Sequence, residues 1–204
     1  MSPFAVVKEF EAALCEYTGA PYAVTVNSCT MALLLAVKWC RDELGLIEPV
    51  SIPKRTYVSV PMSIIHAGSK VSFRDEKWSG MYQLKSLPVW DCARYFSSGM
   101  YMLGQYQCLS FHTSKILGDT QGGAILTNNA NAAAWFKRMR FDGRTEGIPP
   151  NKDTFLELGY HAYLSPDVAA RLLHKLSVLP LHNRPLPNSP YPDLSKYPIF
   201  RGDV

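Results

Sequence analysis

The sequence predicts an α/β protein in which helices flank a layered sheet. Two observations indicate this class: short apolar runs alternate with helical patterns along the chain, and polar residues or glycines separate them. The 204 residues, of which 47% are hydrophobic, can bury one sizeable core but hardly two full domains. We therefore expect one main domain.

The helices are predicted from apolar residues at spacings of three and four and from the residues at their ends. Gly19 ends the first helix, and Asn129 is placed to cap the fourth. Pro166 suits the first turn of the last helix, where a missing N–H costs nothing. In chain order, the predicted helices are residues 3–18, 31–39, 58–66, 130–140 and 165–176.

The strands are predicted from short apolar runs bounded by turn residues. In chain order they are residues 22–26, 49–52, 70–73, 87–90, 107–111 and 124–127. From Leu179 onward the pattern stops, because six prolines fall within 26 residues. We therefore predict a domain over residues 1–178 and an extended tail over residues 179–204, either wrapping the domain or disordered.

Composition argues against several classes of protein. The 21 basic and 17 acidic residues are scattered, without the run of like charge typical of a nucleic-acid-binding arm. No apolar stretch approaches 18 residues, and Lys8 and Glu9 interrupt the N-terminus too early for a signal peptide. The five cysteines form no CxxC pair, which favours free thiols and no metal site. We expect a cytoplasmic protein that binds neither membranes nor nucleic acid polymers.

One lysine lies in a polar loop between two predicted strands. Lys115 ends the segment LSFHTSK, and Gly122 and Gly123 begin the next strand. A lysine that forms a Schiff base must react as the neutral amine, which a desolvated or electropositive site favours. The glycines permit a tight turn where a side chain would collide. Taken alone, the lysine is better explained as an ordinary solvated cation, and a plain loop-to-strand turn explains the glycines nearly as well.

Three segments resemble motifs of the DegT/DnrJ/EryC1/StrS aminotransferases. Residues 109–123 are similar to the SFHxxK…GEGG segment of that family, residues 87–93 to a strand that ends in an EDAA-like motif, and residues 23–33 to the VxSGTxAL segment. The three occur in the family order, which chance would not readily produce.

The resemblance implies a large domain of the pyridoxal-phosphate-dependent fold type I, with a mostly parallel central sheet and flanking helices. It also implies that this domain is reduced and lacks most of the C-terminal small domain. The cofactor would be pyridoxal 5′-phosphate, bound as a Schiff base to Lys115, which would also move the proton. Asp91 would pair with the pyridine nitrogen and keep it protonated, so that the ring can accept electrons; otherwise it merely caps a loop.

The remaining cofactor-binding residues follow from the same resemblance. Ser28, Cys29 and Thr30 would hold the phosphate at a helix N-terminus, although capping alone explains Ser28 and Thr30. Tyr57 would stack on the cofactor or else lie in the core. Ser110 would join the phosphate shell.

At two positions of the resembling segments, this sequence has a different residue from the family. Arg94 stands where the family has His or Gln, and it would place an unusual cation near the ring. His161 replaces an asparagine that reaches the phosphate of the neighbouring subunit, so it could act across a homodimer; a buried histidine is the alternative. We expect His112, beside the lysine loop, to fill the core.

Other departures affect what the protein can do. Cys29, Ile116 and Gln121 replace the family's Gly, Asn and Glu, and only 15 residues separate Asp75 from Asp91. The preferred hypothesis is an aminotransferase that moves an amino group from an amino acid, with glutamate as the expected donor, to a keto-sugar nucleotide or similar ketone. The alternatives are a noncatalytic pyridoxal-phosphate-binding relative and a decarboxylase or lyase.

Overall fold

A computed structural model describes residues 4–200, and its helices and strands alternate as predicted. The helices are α1 (Ala5–Thr18), α2 (Cys29–Asp42), α3 (Ser59–His66), α4 (Ala130–Met139) and α5 (Pro166–Ser177). The strands are β1 (Tyr22–Val26), β2 (Val50–Pro53), β3 (Val71–Arg74), β4 (Tyr82–Leu84), β5 (Val89–Asp91), β6 (Tyr106–Ser110) and β7 (Gly123–Thr127). Each predicted element has a counterpart here, and β4 is the strand that was not predicted.

The central sheet is mixed. Its order is β1-β7-β6-β5-β4, and β2 and β3 form a separate parallel pair. β5 pairs in parallel with β6, whereas β7 is antiparallel to both of its neighbours and β4 is antiparallel to β5. An antiparallel bridge between Ser51 and Lys85 links the two sheets. Taken together, these pairings mean that β1, β2, β3, β5 and β6 run in one direction, whereas β4 and β7 run in the opposite direction.

The α/β class is confirmed, but the expectation of mostly parallel pairing needs correction. The short connection 85–88 between β4 and β5 can join only antiparallel neighbours, because a parallel pair needs a longer crossover. The loop between β6 and β7 contains no helix and likewise returns the chain antiparallel.

Two apolar clusters cover the two faces of the sheet. Along β7, Ile125 belongs to one cluster, whereas Ala124 and Leu126 belong to the other, as the alternation of side chains in a strand requires. Helices α2, α3 and α4 contribute to the first cluster, and α1 and α5 contribute to the second. The sheet therefore lies between two helical layers.

The described part of the tail, residues 179–200, lies against the domain. Leu194 and Phe200 are buried, and the Leu194 N–H donates to the Lys54 carbonyl at 2.8 Å. The Leu186 N–H donates to the Arg94 carbonyl at 2.9 Å. A division of the chain at residue 178 stays a prediction.

Two further properties bear on function. Across residues 4–200, the longest apolar helical stretches fall short of what a membrane span requires, and no cluster of His, Cys, Asp and Glu in this range could hold a metal ion. The five cysteines are free, and Cys40, Cys92 and Cys108 are buried.

Candidate active site

Three strands that run in the same direction bring polar residues to one edge of the sheet. Ser28 follows β1, Asp91 ends β5 and Ser110 ends β6. In α/β sheets the carboxyl ends of such strands are where ligands bind. The edge opens into a cavity of about 600 Å³. The sequence-predicted residues that line it are Ser28, Cys29, Thr30, Tyr57, Asp91, Arg94, Ser110 and Lys115.

Asp91 is buried and held by two hydrogen bonds. The Ala93 N–H donates to Oδ1 at 2.9 Å, and the Tyr82 hydroxyl donates to Oδ2 at 2.9 Å. Burial raises the pKa of the Asp91 carboxyl, whereas these two donors and the nearby Lys115 ammonium act against that rise. The donors therefore stabilise the ionised carboxylate inside the cavity.

Lys115 lies in the loop between β6 and β7 and is half-buried. Its N–H donates to the His112 carbonyl at 2.9 Å, which closes a turn in this loop. Burial lowers the pKa of the Lys115 amine, and the Arg94 guanidinium lowers it further, while Asp91 opposes the change. The neutral, nucleophilic amine is therefore more accessible here than on a solvated lysine.

The N-terminus of α2 forms another wall of the cavity. Ser28 caps the helix by accepting from the Met31 N–H at 3.1 Å, as its residue type predicts. Thr30 Oγ1 lies 2.9 Å from Ser59 Oγ. Burial raises the pKa of Cys29 well above its usual range, so the thiol stays neutral and adds no negative charge. The first-turn N–H groups have no acceptor within the helix and suit an anion.

The glycine pair begins β7 beside this helix. Gly122 has a φ of 133°, a conformation that side chains rarely adopt, and forms a bridge with Ser28. A β-carbon on Gly123 would lie 2.6 Å from the Cys29 nitrogen. A side chain at position 123 would therefore collide, as the sequence predicts, but it would collide with the backbone at the start of α2.

Arg94 connects the cavity to the tail. Its guanidinium donates to the Pro187 carbonyl and, over 3.4 and 3.5 Å, to Ser189 Oγ and the Tyr191 hydroxyl. Arg94 Nε is buried and has no hydrogen-bond partner among residues 4–200. Tyr191 stacks on Trp78 with ring centroids 6.1 Å apart. The tail thus supplies one wall of the cavity, to which Ser189, Tyr191 and Pro192 contribute.

The positions of Tyr57 and His112 decide between the alternatives that the sequence left open. Tyr57 is 57% exposed and lines the cavity, so its placement in the core is wrong. His112 is exposed at the cavity, so the expectation that it fills the core is also wrong. The reason is that β6 ends at Ser110: Phe111, the next residue, is buried, and the exposed His112 already belongs to the loop.

His161 lies outside the cavity. Its side chain is 71% exposed, and its Nδ1 lies 3.1 Å from Asp142 Oδ2. The alternative of a buried histidine is therefore wrong. Within this single chain His161 does not join the other predicted site residues, and a role across a subunit interface stays a prediction.

The sequence prediction missed two parts of the site. Tyr82 lies on β4, a strand of only three residues; only the alternation of Tyr82 and Leu84 about Gln83 indicated a strand. The tail residues that line the cavity carried no signal, because their segment is proline-rich and lacks periodicity.

The fold is that of the sugar aminotransferases. The solved structure of the sugar aminotransferase CalS13 from Micromonospora echinospora matches with a TM-score of 0.73 at 19% identity, over 86% of this chain and 61% of that chain. The model of the DegT/DnrJ/EryC1/StrS aminotransferase family matches residues 4–83 and 93–184, so this chain belongs to that family. Residues 84–92, which include Asp91, lie between the two matched ranges.

Similarity to curated relatives covers most of this chain but only about half of each relative. The UDP-4-amino-4,6-dideoxy-N-acetyl-beta-L-altrosamine transaminase of Campylobacter jejuni is 28% identical over 81% of this chain and 54% of that protein. The L-glutamine:2-deoxy-scyllo-inosose aminotransferase of Streptomyces fradiae is 26% identical over 87% of this chain and 53% of that protein. The chain thus spans about half the length of these relatives.

Proposed function

We propose that this chain binds pyridoxal 5′-phosphate and transfers an amino group from an amino acid to a keto-sugar nucleotide or a similar small ketone. The observation that carries the proposal is that Lys115 and Asp91 line one cavity together with the N-terminus of α2. An amine, a carboxylate and an anion-binding helix end are the three groups that this cofactor requires.

The cavity fits the cofactor in size and in chemistry. Its volume of about 600 Å³ lies within the usual range for small-molecule sites. Arg94 gives the cavity positive charge, which suits an anionic cofactor, and the Cys29 thiol stays neutral because burial raises its pKa. Bound there, pyridoxal phosphate supplies an electrophilic aldehyde and a ring that accepts electrons when its nitrogen is protonated.

Lys115 supplies the amine that holds the aldehyde. Its lowered pKa, caused by burial and then by Arg94, increases the fraction that reacts as a nucleophile. As a free, neutral amine, Lys115 would be the base that takes a proton from the α-carbon of the amino donor and the acid that returns it. A lysine in a loop between two strands can do both, because its long side chain pivots about a fixed backbone.

Asp91 holds a proton on the ring nitrogen. Its carboxylate is fixed on both oxygens by hydrogen bonds of 2.9 Å and is buried, so solvent screens its charge poorly. Thr30, Ser110 and the first-turn N–H groups of α2, on the wall of the same cavity, would form the phosphate-binding set. Tyr57, exposed on the cavity wall, is the ring that would stack on the cofactor.

The tail wall and Arg94 line the same cavity as Lys115 and Asp91. The Trp78–Tyr191 pair and the Arg94 guanidinium offer an aromatic and a cationic surface. An amino donor brings a carboxylate and a sugar nucleotide brings phosphates, and both are anions that an arginine binds. One relative is named for glutamine as donor, so glutamine is to be tested beside glutamate.

We further propose that two copies of the chain assemble. Leu158 is 95% exposed and Leu156 is 76% exposed, and both precede the exposed His161. Such apolar side chains on one loop are typical of a surface that is covered by a partner. In a homodimer, His161 would then reach the site of the neighbouring subunit.

The experiment is an absorbance spectrum of the purified full chain with added pyridoxal phosphate, before and after addition of glutamate or glutamine. The proposal predicts a visible band that Lys115→Ala abolishes. The matched control is Lys8→Ala, which removes an exposed lysine on α1 and should keep the band. Bleaching by an amino donor, followed by recovery when a keto-sugar nucleotide is added, is the expected result.

Two outcomes would contradict parts of the proposal. A wild-type protein without the band would contradict cofactor binding itself. A stable band that no amino donor bleaches would favour a noncatalytic binding protein, and release of carbon dioxide or ammonia would favour decarboxylase or lyase chemistry.

A further inference from the structure

We propose that Tyr82 is a positioning residue for Asp91 and that Thr56 orients the Tyr82 hydroxyl for this task. The consequence for cofactor binding rests on the function proposed above. The relation between the three side chains can be tested without the cofactor.

The sheet places Tyr82 and Asp91 side by side. They are direct register partners in the antiparallel pair of β4 and β5. The Tyr82 hydroxyl donates to Asp91 Oδ2 at 2.9 Å and lies 2.6 Å from Thr56 Oγ1. Tyr82 is 2% exposed and Thr56 is 1% exposed, so solvent does not compete for these bonds.

The direction of the hydrogen bonds follows from the chemistry of the groups. An ionised carboxylate can only accept, so the single hydroxyl proton of Tyr82 is committed to Asp91. Thr56 must then donate to the Tyr82 oxygen. Burial, followed by the Asp91 charge, raises the pKa of Tyr82 well above its usual range, so the hydroxyl keeps its proton. The hydroxyl protons of Thr56 and Tyr82 are thus both directed along the hydrogen bonds that lead to Asp91.

Other groups near Asp91 do not replace this contact. The Ala93 N–H binds the other oxygen, Oδ1. Lys115 acts on Asp91 through its charge, and the Cys29 and Cys92 thiols are neutral because burial raises their pKa values. Within residues 4–200, Tyr82 gives Asp91 the side-chain hydrogen bond that fixes Oδ2.

Two effects on the proposed reaction follow. The hydrogen bond stabilises the ionised form of Asp91, which is the form that keeps a ring nitrogen protonated. It also fixes the rotation of the carboxylate, so that its remaining lone pairs face the cavity.

The test is Tyr82→Phe, which removes the hydroxyl and keeps the buried ring. In the full chain without added pyridoxal phosphate, the titration of the Asp91 carboxyl is followed by carbon-13 NMR, with Asp91→Asn to assign the signal. We expect the pKa of Asp91 to rise. With the cofactor added, we expect its dissociation constant to increase about threefold to tenfold, in the range of one lost hydrogen bond of ordinary strength.

Two further variants separate positioning from general damage to the fold. Thr56→Val should shift the Asp91 titration in the same direction but less. Tyr106→Phe removes another buried hydroxyl, which accepts from Trp39 Nε1 at 2.8 Å, and should leave the titration unchanged. An Asp91 titration equal to that of the wild type in Tyr82→Phe would overturn the proposal. A wild type that binds no cofactor would overturn the proposed function instead.

Discussion

Gly123 lies directly against the backbone of Ser28. A β-carbon at position 123 would stand 2.6 Å from the Ser28 carbonyl carbon and 2.7 Å from its oxygen. The first residue of β7 therefore touches the N-cap of α2, backbone to backbone. The position of the helix end that faces the cavity depends on the absence of a side chain on the neighbouring strand.

This contact predicts the effect of Gly123→Ala. The added methyl group must displace backbone, so we expect the free energy of unfolding to fall by about 2 kcal/mol, in the range of overpacked sites. Pyridoxal phosphate should also bind more weakly, because the first turn of α2 must shift. Urea unfolding and a cofactor titration measure the two effects.

The control for that substitution is Gly104→Ala. A β-carbon there would meet no atom within 4 Å, and only its φ of 79° opposes the change. It should cost about 1 kcal/mol and leave cofactor affinity unaltered. Equal losses of affinity in both variants would show that the Ser28 contact has no special role.

Arg94→Gln tests how the cavity sets the reactivity of Lys115. Removal of the guanidinium takes away a cation that lowers the pKa of the amine, so that pKa should rise toward its ordinary value. The reaction of Lys115 with pyridoxal phosphate should then require a higher pH. Borohydride trapping across a pH series, read by mass spectrometry, gives the midpoint. Arg94→Lys keeps the charge and should leave the midpoint near that of the wild type.

The buried ion pair between Glu11 and Arg140 should contribute strongly to stability. Arg140 donates to Glu11 and to the Thr25 carbonyl, and the two charged side chains are 1% and 6% exposed. Arg140→Met leaves Glu11 buried without its main partner, and we expect a loss of about 3–5 kcal/mol in unfolding free energy. In the double variant with Glu11→Gln, the loss should be smaller than the sum of the single losses.

Lys137→Met is the matched control for the ion pair. The Lys137 ammonium lies 3.9 Å from Glu11 but its side chain is 45% exposed, so its removal should cost less than about 1 kcal/mol. Additive losses in the double variant would indicate that Glu11 and Arg140 stabilise the fold independently of one another.

Local sequence patterns were sufficient to predict most of the helices and strands. Ser28 and Asn129 both cap the helices for which their residue types mark them, and Gly19 ends α1 with a φ of 79°. These signals act between residues within one turn of helix, so a short stretch of sequence contains both partners of each interaction. The cavity-lining residues Lys115 and Asp91 were likewise predicted, because each lies in a short segment with a recognisable motif.

Contacts between distant segments could not be predicted in this way. Tyr82 reaches Asp91 only because β4 folds back on β5, and three residues give too little periodicity to show it. Arg94 meets Tyr191 across 97 positions of sequence. Prolines predicted that the tail is extended, but the surface on which it lies depends on the shape of the finished domain.

Lys115→Met connects the proposed chemistry to stability. Burial and then Arg94 hold the pKa of Lys115 below its ordinary value of 10.5, so the folded state binds this proton less tightly than the unfolded state does. Below both pKa values the amine is charged in either state, and the wild type bears the full cost of the buried charge. That cost disappears as the pH rises through the lowered pKa toward 10.5. We therefore expect the variant to be more stable than the wild type at pH 7 in urea unfolding without cofactor.

The advantage of Lys115→Met should shrink above pH 10.5, where both states of the wild type carry a neutral amine. Lys8→Met, at an exposed position, is the matched control for the exchange of a lysine for methionine. If the gain of Lys115→Met were the same at both pH values, it would come from packing of the methionine, and the wild-type lysine would not bear a charge penalty. A gain confined to the lower pH would mean that the fold bears a destabilising charge at the position where the proposed reaction needs a neutral amine.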